Sequence, residues 1–130
     1  MKKFIITTAL SLFSIISISA QSKKDTQVSK LYQNYIAIKS ALASDDAEKT
    51  STAASEFIKT ASTIDYKQVS EGNLNILRKD ATAISEAKNI SAQRETFFNL
   101  SDNMIALTKE FKVSEKPVYV QYCPMADGSW

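Results

Sequence analysis

The sequence predicts an all-α protein: an up-down four-helix bundle with a short extended C-terminal segment. Two features of the chain carry the bundle. Apolar residues between Val28 and Phe111 recur at steps of three and four rather than two, the period of a helix face. They fall into four amphipathic segments separated by short polar stretches, which return each helix against the last. A third feature sets the tail apart: after Phe111 the pattern breaks, Pro117 excludes further helix, and "VYVQY" is β-branched and aromatic.

Residues 1–20 have the layout of a secretory signal peptide. "MKK" is a positive n-region, "FIITTALSLFSIIS" an apolar run and "SISA" a small-residue exit. The run is short and broken by Ser and Thr, unlike a membrane span. A polar flexible leader is expected over residues 21–27, the bundle over 28–112 and the extended tail over 113–130. In the first helix Val28, Leu31, Tyr35, Ile38 and Leu42 share a stripe. "SDD" at 44–46 interrupts, with Asp45 and Glu48 at capping-box spacing for the second helix. That helix turns Ala47, Ala54, Phe57, Ala61 and Ile64 inward. "DYKQVSEGN" then leads to a third helix with Leu74, Leu77, Ala81 and Ile84 on its stripe. Ser91 is a candidate N-cap for the fourth helix, whose stripe is Phe97, Leu100, Met104, Leu107 and Phe111. "CPMADGSW" closes the sequence as a turn-rich stretch.

Composition excludes most enzyme classes. The chain has no histidine, which removes Ser-His-Asp and Cys-His chemistry and imidazole-bound zinc or haem. Its glycines are Gly72 and Gly128 alone, too few for a phosphate-cradling loop. Charge is balanced once residues 1–20 are set aside, since Lys2 and Lys3 are the only charged residues there. No electrostatic footprint for nucleic acid remains. No enzyme is expected, and no stable membrane insertion after signal removal.

The stretches "YQNYIAIKSALASDD", "SAQRETFFNLSDNMIAL" and "KPVYVQYCPMADGSW" resemble the bacterial domain of unknown function (DUF) 3347 family. The resemblance implies a small secreted or periplasmic protein. It also implies a link to metal handling, because the same domain is appended to periplasmic adaptors of copper- and silver-type efflux systems. Family members usually continue past "CPMADGSW" through Asn-Pro-Tyr to a further Met and a Cys-Gly, so against that pattern the chain reads as truncated. They often carry His just before the Cys-Pro-Met and around the Gln-Arg-Glu stretch; here those places hold Tyr122, Ala92 and Thr96. Cys123 and Met125 alone carry over.

Those two residues are the candidate metal site. A thiolate and a thioether are soft donors suited to Cu(I) or Ag(I), and Pro124 between them fixes a backbone dihedral. The plain alternative is an incidental free cysteine serving as a small hydrophobe. Other polar features have structural readings: Asp45, Asp46 and Glu48 as helix caps, Arg94 with Glu95 as a surface ion pair. Phe98 cannot share a face with Phe97 and is free to seal a bundle edge, support the 118–122 strand or form a partner patch. The expected function is a periplasmic, non-enzymatic module that binds or relays Cu(I) or Ag(I) beside an efflux adaptor. The alternative is a protein–protein interaction module without a metal role.

Overall fold

Four helices form in chain order, α1 (Ser19–Ala43), α2 (Ala47–Ala61), α3 (Glu71–Glu86) and α4 (Ile90–Glu110), followed by a two-stranded hairpin, β1 (Tyr122–Cys123) and β2 (Gly128–Ser129). The computed structural model describes residues 19–130, with side chains from Thr26 onward; the signal peptide expected over 1–20 lies outside them but for Ser19 and Ala20. Successive helices pack on one another, α1 on α2, α2 on α3 and α3 on α4, while α1 and α4 meet less closely. No helix of the described residues is long and apolar enough to cross a membrane.

The four stripes meet in one core. Val28, Leu31, Ile38, Phe57, Leu74, Leu77, Ile84, Leu100 and Met104 are essentially inaccessible to solvent. Each large side chain of this kind stabilises the fold by roughly 1.5–3 kcal/mol relative to exposure. Phe111 ends α4 and is only half-buried; Val113, two residues on, completes the core at that end. Val69, in the α2–α3 connection, does the same at another.

Five details differ from expectation. The leader over 21–27 is helical backbone, because α1 starts at Ser19. Gln and Lys are good helix formers and neither Gly nor Pro intervenes there. Gln27 also donates from Nε2 to the Thr63 carbonyl (3.3 Å), tying this end of α1 to the end of α2.

The N-caps are shifted as well. Asp46, not Asp45, caps α2 by accepting from the Lys49 N–H at 2.8 Å. Asp45 instead terminates α1. Asp46 N–H reaches the Ala41 carbonyl and Asp45 N–H the Leu42 carbonyl, with Asp45 in the left-handed region (φ 56°). That is the Schellman arrangement, with aspartate where glycine is usual. Ala47, expected to face inward, is half-buried. Asn89 rather than Ser91 caps α4, accepting from the Ala92 N–H at 2.9 Å. Arg94 pairs with Asp45 across the bundle, not with its neighbour Glu95, and its Nη2 also donates to the Leu42 carbonyl at 2.7 Å. One guanidinium thus holds the α1–α2 corner against the start of α4.

Candidate functional site at the C-terminal hairpin

The tail turns back along the seam between α1 and α4. Val118 and Val120 line grooves together with Ile105 and Thr108 of α4, and Trp130 lies against α1 near Lys39. Residues 117–120 form no helix or strand and are exposed; backbone pairing begins at Gln121, whose N–H and C=O both bond to Trp130 (2.8 and 3.0 Å). Tyr122 then pairs with Ser129 and Cys123 with Gly128, antiparallel.

Two devices close the hairpin. Cys123 C=O accepts from the Ala126 N–H at 3.2 Å, making a turn with Pro124 at its second position, where proline's fixed φ fits. Asp127 then adopts a left-handed conformation (φ 46°), which returns the chain to the ladder. Its Oδ1 accepts from the Tyr122 hydroxyl at 2.7 Å across the hairpin. That bond, which holds the phenol's proton, moves the Tyr122 pKa above its ordinary value of 10.0.

The hairpin is fastened to the bundle by aromatic packing. Phe98 of α4 lies directly beneath Gly128, so closely that a Cβ there would overlap its ring. Trp130 stands beside the same ring, 6.3 Å between centroids. Gln121 Oε1 accepts from both Trp130 Nε1–H (3.0 Å) and Lys39 Nζ (3.2 Å). Of the roles open to Phe98, the structure gives it that of a support, placed under β2 and Trp130 rather than under 118–122.

Cys123 and Met125 therefore sit at the first and third positions of one turn. Cys123 is a free, half-buried thiol, and Met125 is 99% exposed. Among the described residues no group of three or more His, Cys, Asp or Glu is placed to hold a metal ion. Met104, on the apolar stripe of α4, is buried in the core. No local pattern in the sequence groups Phe98, Gly128 and Trp130 as one anchoring unit, although a lone glycine in a strand-like stretch is a signal of close backbone approach.

Fold and hairpin together define a small helical-bundle module that displays a short, anchored C-terminal hairpin. The chain belongs to the family described as Protein of unknown function (DUF3347), whose model matches residues 31–116. The match runs from within α1 through α4 and stops short of the hairpin, so Cys123 and Met125 lie outside it. Comparison with curated proteins gives no match, and comparison with solved structures gives none either.

Proposed function

We propose that this protein is a non-enzymatic module of the secretory or periplasmic space that takes up a soft monovalent ion, Cu(I) or Ag(I), at the hairpin turn and passes it on. The observation that carries this reading is the turn itself. It holds the chain's one thiol together with a thioether left almost wholly in water. Two sulfur donors suit a low-coordinate soft ion. A ligand pair with one member, Met125, almost wholly in water favours exchange over storage, which fits a relay toward an efflux adaptor.

The test is titration of the protein with Cu(I) against a competing chelator. The wild-type chain should bind one equivalent, Met125→Leu should weaken binding, and Cys123→Ser should abolish it. Undiminished binding by Cys123→Ser would overturn the assignment.

A second reading, a docking surface without metal, is supported by a different observation: Val118, Tyr119, Val120 and Tyr122 are all 41–77% exposed on the same tail. Their backbone from 117 to 120 has no backbone partner among the described residues, so a partner strand has groups to pair with. Binding of a partner that ignores Cys123→Ser but fails with Tyr119→Ser would favour this reading over the first.

A further inference from the structure

We propose that the pocket between the hairpin and the paired ends of α1 and α4 is a binding site for a small amphiphilic anion, an alkyl or aryl carboxylate. The pocket is a groove open to solvent, about 290 Å³ in volume, and is distinct from the Cys123–Met125 turn, whose two sulfurs do not line it.

Its interior is apolar and firmly built. Leu42 and Phe97 belong to the buried core and form the floor, while Phe98 and Trp130 stand as aromatic walls. Ala43 and Ala126 leave the mouth open, because neither has a side chain long enough to fill it. Small-molecule sites are commonly of this kind, an apolar concavity with a few placed polar groups that fix orientation.

The polar groups here are both cations. Lys39 and Arg94 are among the lining residues; Asp45, outside the lining, pairs with Arg94, so Lys39 is the cation without a carboxylate partner. Each cation is held in place by the protein and keeps donors to spare. Arg94 is anchored through Nη2 to the Leu42 carbonyl and to Asp45, while no hydrogen bond among the described residues occupies its Nε or Nη1. Lys39 Nζ donates to Gln121 and lies 6.0 Å from the centre of the Trp130 ring, and an ammonium has three donors. Anchored cations beside an apolar wall bind a carboxylate with little further ordering, and the wall takes its hydrocarbon. A cationic or purely polar ligand gains nothing from this arrangement.

Trp130 is the only tryptophan in the chain, so its fluorescence reports occupancy. The experiment titrates the full chain with sodium octanoate and, in parallel, with n-octanol. Octanoate should produce a saturable blue shift of Trp130 emission, with octanol weaker by about tenfold or more because it cannot pair with the two cations. Lys39→Gln should bring octanoate toward the octanol affinity. Ala43→Phe, which fills the pocket from an exposed helix position, should abolish the response to both. Circular dichroism checks that the variants fold, and the wild-type ratio of the two ligands decides the matter if one does not. No saturable response, equal affinity for octanoate and octanol, or variants that bind octanoate as wild type does would each overturn the proposal.

Discussion

Tyr35 shows how one side chain can be read from the sequence as apolar and still carry polar consequences. Its ring stacks on Phe97 at 5.2 Å and its hydroxyl donates to Ser101 Oγ at 2.9 Å inside the core. Burial pushes its pKa above 10.0, outweighing the Ser101 hydroxyl, which can turn to donate to the phenolate and so acts the other way. The folded state therefore keeps the proton longer than the unfolded state does. The stabilisation from that difference is complete below pH 10 and is lost as pH rises through the raised folded value. Tyr35→Phe should cost about 0.5–1.5 kcal/mol at neutral pH, through the lost hydrogen bond. The gap to wild type should narrow in urea melts above pH 10, because the variant has no such proton to lose; a constant gap would contradict this. Gln93 is the converse case. It is buried, donates from Nε2 to the Ala47 carbonyl and Ser51 Oγ (3.0 Å each), and leaves Oε1 without a partner among the described residues. Nothing in hydropathy places a glutamine inside, since its burial depends on two acceptors from α2 that only the assembled bundle supplies.

Helices were legible because their signal is local. The stripes Val28–Leu31–Tyr35–Ile38–Leu42 and Leu74–Leu77–Ala81–Ile84 are buried residue for residue. Caps were less legible, for a physical reason. "SDD" offers two adjacent aspartates, and the choice between them is made by the end of α1, which needs Asp45 in the left-handed region and leaves Asp46 to cap α2. Arg94 reinforces that choice from α4, a contact no local pattern encodes. The hairpin was least legible. The tail was expected to be extended and to turn at Pro124 and Asp127-Gly128, but pairing of Gln121 with Trp130 and seating of Gly128 on Phe98 are long-range events. They yield a sharp prediction. Gly128→Ala forces a methyl into the Phe98 ring and should weaken hairpin docking by about 1–3 kcal/mol. Trp130 emission should move to the red while helical circular dichroism stays unchanged. Unchanged emission would mean that the hairpin is not seated as described.

Across the molecule, the tail compensates for an uneven bundle. Helices adjacent in sequence pack closely, whereas α1 and α4 meet less, and the tail runs over the seam between them. Its anchors, Trp130 on Lys39 and Gly128 on Phe98, reach one helix on each side of that seam. The same placement displays the Cys123–Met125 turn outward on a rigid base, so the proposed capture of a soft ion requires no movement of the bundle. The most direct measurement is an amide and methionine-methyl NMR titration of the protein with Ag(I). At one equivalent, shifts should be confined to Gln121–Ser129 and the Met125 methyl, with the helix amides still. No change at one equivalent, or shifts spread through the helices with the hairpin unmoved, would contradict the account.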